Sequence, residues 1–567
     1  MKIYNSILKT LVYTFFLLGI INLSYARTPE YNYNAKNISN YFSAIVSFNN
    51  FDYEKSEKFL NKLDGIEENN KIYSKKLLHS LINLEKFNKA YLYSQTLERK
   101  NFSIFESNLI SGSFEIKNKN YSKALYYFSK ISPNFENHMA FDILKVSLTS
   151  WAKIGISNDT KDIKIIESIP PQHKNLKFIQ RAFAHCHFKT PDTKKMFQNI
   201  INEKSANFSR YNFFYAKYLF STNDFIEAEK VTNFAADKYP RNLLINQFKK
   251  TLEKKEVNKN KFNCNNIEDI IAEIFYVIAN ALSVQGAYKL SNFYINLAKY
   301  LNPNFSSYQS LLAENFVQLN KFEEAKKIYK DLSKTGSIYK WYATKQIAAL
   351  NEEEGKKKEA LSLIENTFKK IKPGIYETFD LANFLRNQKK YDESIKLYSD
   401  ILLVINEDHE LYPKVLDRRG TAYERTNKWE LSKKDLLLSL KIEPKAPYVM
   451  NYLAYSWVEK GENIEEALKM LKEANDLKQN DGYITDSLGW ALFKLNNFSE
   501  SKKYLELAIK LMPNDPIIND HFADCLWMND LRIQARYYWK YVLNLEKTEE
   551  DLKRKVENKL LFGIENK

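Results

Sequence analysis

The chain has 567 residues, of which 44% are hydrophobic and 27% charged, with a net charge of +16. That length allows roughly three or four ordinary domains, and the apolar content suits a folded chain rather than a disordered one. Only 13 glycines and 13 prolines are present, which excludes a turn-rich β-sandwich or propeller and argues against a glycine-rich nucleotide-binding enzyme.

Lys2 and Lys9 flank a short polar start, an apolar run spans Leu11 to Leu23, and Ser24, Tyr25 and Ala26 follow. A basic start, a short apolar core and small residues at the last and third-last places predict a secretory signal peptide over 1–26, cleaved after Ala26. The apolar run is short for a spanning helix, which needs about 20 residues. The expectation is therefore export to a bacterial periplasm as a soluble chain. The alternative is an inner-membrane anchor formed by an uncleaved N-terminal segment. No cysteine follows the run, so a lipid anchor there is not expected.

From residue 37 onward a pattern repeats: a small residue, an aromatic nine places on, then alanine or serine three later. Ala44/Tyr53/Ser56, Leu78/Phe87/Ala90 and Gly112/Tyr121/Ala124 carry it at steps of 34, and Ala216/Phe225/Ala228 is a further clear unit. The interval from Gly112 to Ala216 leaves room for two degenerate units over 139–208. Past residue 271 the small positions are Ala279, Ala313, Ala348, Ala382, Gly420, Ala454, Gly489 and Ala523, separated by 34, 35, 34, 38, 34, 35 and 34 residues. Small residues let two helices approach closely, and one helix pair cannot bury its apolar face alone, so such units stack.

This pattern resembles the tetratricopeptide repeat, two antiparallel helices in 34 residues. The resemblance implies an all-α solenoid, read here as two arrays. The first covers 27–250, with units near 37–70, 71–104, 105–138, the degenerate 139–208 and 209–242. A polar linker covers 251–271. A second array of eight units covers 272–549, and a capping helix 550–567. The last three full units look like the C-terminal repeats of a family of exported proteobacterial tetratricopeptide proteins. That likeness implies an envelope scaffold or adaptor that recruits other proteins. Many such proteins start with a lipid-anchored cysteine, which this chain lacks, so attachment to an outer membrane does not carry over.

Of the +16 net charge, +14 lies in residues 1–271. Such a surface could meet anionic envelope polymers or an acidic partner; a lysine-rich solvated face is the plainer explanation. Cys186, Cys264 and Cys525 are too few and too far apart for a disulfide framework, and allow at most one bridge. His185, Cys186 and His187 look like a metal cluster, but residues two apart on a helix point in different directions, so no metal is expected there. No phosphate-binding loop, GxSxG, HExxH or CxxC pattern occurs. The chain reads as a non-enzyme with no cofactor and no nucleic-acid partner.

In this repeat the second, fifth, ninth, twelfth and thirteenth places of the first helix face the concave groove. In the last three units they supply Tyr448, Asn451, Tyr455, Tyr483, Asp486, Trp490, Phe493, Asp520, Asp524 and Trp527. Aromatic plates mixed with carboxylates and an amide suit an extended peptide or a docked helix. Asn280 and Asn383 occupy one place of the two-lysine, two-asparagine clamp that chaperone-binding members use for a free C-terminus, but its lysines are absent. The expected partners are other envelope proteins or peptides, with a weak association with anionic envelope polymers. The other functional classes are a structural protein that binds anionic glycan or lipid through the basic half, and an enzyme with a cryptic site.

Overall fold

The computed structural model describes residues 35–63, 70–131, 138–204, 206–254 and 261–564. The expected signal peptide, 1–26, lies outside the described residues. Among the described residues every regular element is helical, and no helix is long and apolar enough to cross a membrane.

The chain divides into two compact units, Met1–Leu363 and Ile364–Lys567. The first holds α1 (Ala35–Asn49), α2 (Tyr53–Leu60), α3 (Lys71–Asn83), α4 (Phe87–Arg99), α5 (Phe105–Lys117), α6 (Tyr121–Ser129) and α7 (His138–Ser157). It continues with α8 (Lys174–His187), α9 (Thr193–Ile201), α10 (Tyr211–Ser221), α11 (Phe225–Lys238), α12 (Leu243–Lys254), α13 (Ile267–Val284) and α14 (Tyr288–Leu301). It closes with α15 (Tyr308–Gln318), α16 (Phe322–Leu332) and α17 (Ser337–Glu353), and the division falls inside α18 (Lys357–Lys370). The second unit holds α19 (Ile375–Asn387), α20 (Tyr391–Leu402), α21 (Tyr412–Arg425), α22 (Trp429–Ile442), α23 (Pro447–Lys460) and α24 (Ile464–Leu477). After these come α25 (Gly482–Lys494), α26 (Phe498–Leu511), α27 (Pro516–Met528), α28 (Arg532–Asn544) and α29 (Glu550–Phe562). The architecture is the tetratricopeptide solenoid type, antiparallel helix pairs packed side by side.

The small residues do what their spacing demands. Ala44, Ala90, Ala124, Ala216, Ala279, Ala313, Ala382, Ala454 and Ala523 are fully buried where helices cross. Where glycine takes the place there is no room even for a methyl group. A Cβ on Gly112 would lie 2.2 Å from the Phe128 ring, and one on Gly489 2.7 Å from Leu505. The serines of the second helices reach back across the pair. Ser291 Oγ donates to the Ala279 carbonyl and Ser501 Oγ to the Gly489 carbonyl, each at 2.7 Å.

The tight turns within pairs are made by residues with positive φ: Phe51, Glu85, Lys119, Lys189, Asn223, Gly286, Asn320, Gly355, Lys389, Asn427, Gly461 together with Asn463, Asn496 and Asp530. Glycine and asparagine dominate because the left-handed region costs them least. Between 139 and 208 the two degenerate units differ. The first has only one α-helix, α7, followed by a 3-10 stretch Thr160–Ser168 in place of its partner. Pro170 and Pro171 follow at once and prevent a longer helix. The second is an ordinary pair, α8 and α9.

The boundary expected at 251–271 is not where the chain divides. The hairpin α13–α14 folds back onto the first helices of earlier pairs, touching α3, α5 and α7. His79 stacks on Phe293 at 4.2 Å, and Phe87 meets Tyr300 at 4.4 Å. Lys117 Nζ donates to the Leu301 carbonyl at 2.6 Å and Asn296 Nδ2 to Asn83 at 3.1 Å. Arg210 makes a two-pronged pair with the fully buried Glu273, at 2.7 and 3.0 Å, with Tyr276 under its guanidinium at 4.0 Å. Burial pushes the Glu273 carboxyl up and Arg210 opposes it. A disulfide joins Cys186 at the end of α8 to Cys264, just ahead of α13. The first unit therefore fills its own inner face with its own chain. Charge and polarity marked 251–271 as a linker, but they do not show that the helices after it return.

Candidate functional site

In the second unit the first helices of successive pairs, α19, α21, α23, α25 and α27, run side by side. A tyrosine near the start of three of them reaches an acid just ahead of the next. Tyr376 OH donates to Glu410 at 2.9 Å, Tyr448 OH to Asp481 at 3.0 Å, and Tyr483 pairs with Asp515. Asp481 and Asp515 also cap the helices they precede, accepting from the amides of Tyr483 and Ile484 and of Ile517 and Ile518. A side-chain acceptor satisfies helix-end amides that would otherwise lack a partner. The same two acids thus start a helix and tether a groove tyrosine. Tyr448 (57% exposed) and Tyr483 (54%) still present most of their rings to solvent.

Deeper in, α25 and α27 form a stack. Trp490 lies between Phe493, at 4.7 Å and 6° between planes, and His521, at 3.9 Å and 10°. Trp490 Nε1 donates to Glu459 at 2.5 Å, and Lys494 sits 5.0 Å above its ring while pairing with Glu459 at 3.6 Å. His521 Nδ1 meets both oxygens of Asp486 at 3.0 and 3.1 Å. Burial works against charging His521, but the nearby Asp486, Asp520 and Asp524 outweigh it and hold its pKa above the ordinary value. Tyr455 is half-buried and its hydroxyl is pushed up by burial. The side-chain oxygen of half-buried Asn451 has no hydrogen-bond donor among the described residues.

The last three predicted groove residues are covered. Lys559 on α29 lies 2.8 Å from both oxygens of Asp520 and 2.7 Å from Asp524. Asp524 also accepts from Trp539 at 2.9 Å, and Trp527 donates to the Ile564 carbonyl at 3.3 Å. Gly563 lies so close over Trp527 that a Cβ there would be 2.2 Å from the ring. Burial and then Asp520 push Asp524 up to about 6, against the pull of Lys559. Asp520, Asp524 and Trp527 therefore hold the closing helix and are not open to a partner. The structure brings Tyr448, Asn451, Tyr455, Tyr483, Asp486, Trp490 and Phe493 into one stretch, with Asp486 and Trp490 as its floor.

Sequence reasoning missed Glu459, His521 and Lys494, which orient or flank Trp490, and Lys559, which neutralises the acid pair. Glu459 and Lys494 sit at groove places of their units and could have been found from the same register; His521 and Lys559 do not. Among the described residues no three metal-ligating side chains converge. Cys186 is in the disulfide, His185 Nδ1 contacts Thr190 at 2.7 Å, and His187 Nδ1 donates to the Cys264 carbonyl at 3.0 Å. Asn383 accepts from Tyr398 at 2.7 Å.

Residues 487–515 match the tetratricopeptide repeat family. A TPR repeat-containing protein of Pseudomonas aeruginosa is 27% identical over 116 residues, 20% of this chain and 20% of its own length. Among solved structures, the anaphase-promoting-complex hetero-tetramer Cut9–Hcn1 aligns over 94% of this chain and 97% of its own, at 12% identity and a TM-score of 0.39. A tetratricopeptide protein from Parabacteroides merdae aligns over 44% and 97%, at 13% identity and 0.37. YrrB, described as a TPR protein with an unusual peptide-binding site, aligns over 34% and 97%, at 13% identity and 0.26.

Proposed function

We propose that this chain is a non-catalytic scaffold that holds a partner protein along the inner face of its second unit, between Tyr448 and Phe493. The observation that carries this reading is the contrast in burial along one line of places. Tyr448 and Tyr483 stand out into solvent on acid tethers, while Trp490 is locked behind them by His521, Phe493 and Glu459. Rigid aromatic anchors fixed by surrounding contacts suit interface hot spots, because little freedom is lost when a partner seats on them. The tetratricopeptide character of these pairs supports protein binding as the activity. The half-buried acids Asp481 and Asp515 beside the tyrosines favour a partner segment with basic or amide side chains.

On this reading the chain works outside the cytosol, in a periplasm. It recruits clients there to an envelope enzyme such as a protease or a wall-remodelling hydrolase. The predicted signal peptide and the disulfide support that compartment, since such bonds persist in oxidising surroundings.

A photo-crosslinking residue at Tyr483 should trap one dominant partner in intact cells, and the same residue at Lys540 should not. Tyr448→Ala with Tyr483→Ala should remove the adduct formed from a crosslinker at Phe493, with the helical signal unchanged. An adduct that survives the double substitution rejects the groove assignment. A second reading, attachment to anionic envelope polymers, rests on the excess of +14 in residues 1–271. It predicts salt-sensitive pelleting with such polymers that the tyrosine substitutions leave intact.

A further inference from the structure

The first unit contains a cleft of about 700 Å³ whose walls come from the end of α8, from α10 and from residues 261–266 just ahead of α13. Three lysines line it: Lys189, Lys217 and Lys261. Among the described residues none of the three is paired with a carboxylate, although most acids of this unit have lysine or arginine partners. Lys217 is half-buried. Burial, and then the charge of Lys261 beside it, hold its pKa below the ordinary lysine value. Lys217 lies in the recess and Lys261 is exposed at its edge, so an anion seated between them would relieve their mutual repulsion.

The wall that carries Lys261 is also fixed in place, although it is not helical. The Lys261 amide donates to the Asn304 carbonyl at 3.0 Å, and its own carbonyl accepts from Asn302 Nδ2 at 2.9 Å. The Asn263 amide donates to Asp269 at 2.8 Å, His187 holds the Cys264 carbonyl, and the disulfide ties Cys264 to α8. Asp269 is the one carboxylate on the cleft wall, and it is engaged with that loop amide. A segment held at five points gives up little freedom when a ligand arrives.

We propose that this cleft is a binding site for an oxyanion, a phosphate or carboxylate group of a small ligand, held between Lys217 and Lys261 with Lys189 at the rim. An ammonium pair at the mouth of a preformed recess supplies charge-assisted hydrogen bonds to such a group, and the volume accommodates a small molecule. The site is independent of the protein-binding face in the second unit, so the two ideas fail separately.

The test is isothermal titration calorimetry of the full chain with inorganic phosphate and, separately, with citrate, at constant ionic strength. Expected is one saturable site per chain, weakened at least tenfold by Lys217→Met and by Lys261→Met, and unchanged by Lys540→Met on the second unit. Tighter phosphate than citrate assigns a phosphate ester as the ligand class; the reverse assigns a carboxylate. Thermal melts accompany each variant. Should Lys217→Met fail to fold, Lys261→Met decides, because its side chain is exposed and its loop is pinned through the backbone. Absence of saturable binding to both anions, or wild-type affinity in a folded Lys261→Met variant, overturns the proposal.

Discussion

The two units share one building block and treat its inner face in opposite ways. In the first, the chain returns on itself and lays α13–α14 against α3, α5 and α7, sealing the contact with Arg210–Glu273 and Cys186–Cys264. In the second, the far end is covered, where Lys559 takes Asp520 and Asp524, while Tyr448 and Tyr483, in front of the buried Trp490, stay exposed. The lesson is that a tetratricopeptide face is not a binding site by virtue of its place. It becomes one only where the chain does not satisfy it. The basic half of this protein is therefore the half with least inner surface to offer a partner.

The largest effect expected from breaking this contrast is at Arg210. Arg210→Met leaves Glu273 buried without its counter-ion, which typically costs about 3–5 kcal/mol. A separate, earlier melting transition of the first unit should appear by calorimetry, with the second unit unmoved. Cys264→Ser removes a cross-link between residues 78 apart and should lower first-unit stability by about 2–4 kcal/mol. Hydrogen exchange should show α13–α14 opening before the pairs around it. Lys559→Met leaves two acids facing each other under α29. Because Lys559 is partly solvated, a loss of about 2 kcal/mol is expected. Protease cleavage after residue 549 should follow, together with a new exposed face at Trp527.

Smaller still is the pH response of the second unit. The pKa of Asp524 is raised to about 6 from 3.8, and that of His521 is raised above 6.5. In both cases the folded state holds protons more tightly than the unfolded one, so stability falls as pH rises. For Asp524 the fall lies between about pH 4 and 6; for His521 it begins near 6.5 and ends above the folded pKa. His521→Gln should flatten the upper part of the profile in calorimetric melts at stepped pH. The smallest stability effect belongs to Tyr448→Ala and Tyr483→Ala, within about 0.5 kcal/mol each as surface changes. Partner affinity should fall at least tenfold for each by surface-bound competition with the crosslinked partner.

The helix pairs were legible because their physics is local. Gly112 and Gly489 announce a crossing too tight for a side chain, and the same spacing that marks them marks the alanines. About half of the in-pair turns were available in the same way, where Asn223, Asn320, Asn427 and Asn496 recur in step with Gly286, Gly355 and Gly461, but Phe51, Glu85, Lys119, Lys189, Lys389 and Asp530 carry no such signal. Other features depend on contacts between residues far apart in sequence. No pattern around Ile267 says that it returns to α7, and nothing near Lys559 says that it lies against residues 35 and 39 places earlier. Groove places could be read off the repeat register, and the ten predicted residues do fall on α23, α25 and α27. Which of them remain uncovered depends on a closing helix whose target only three dimensions reveal.

The left-handed turn residue has one more consequence. Lys389 and Asn427 stand 38 apart where most neighbouring turns stand 34 or 35 apart. The surplus does not enter either hairpin. It lies in residues 403–411, between α20 and α21. The α23–α24 bend takes up one extra residue only with a second left-handed residue, Asn463, beside Gly461, whereas a connector between hairpins lengthens without touching either pair. The joints between modules are therefore the places where this architecture tolerates added length, while the packing inside each module holds its size nearly constant.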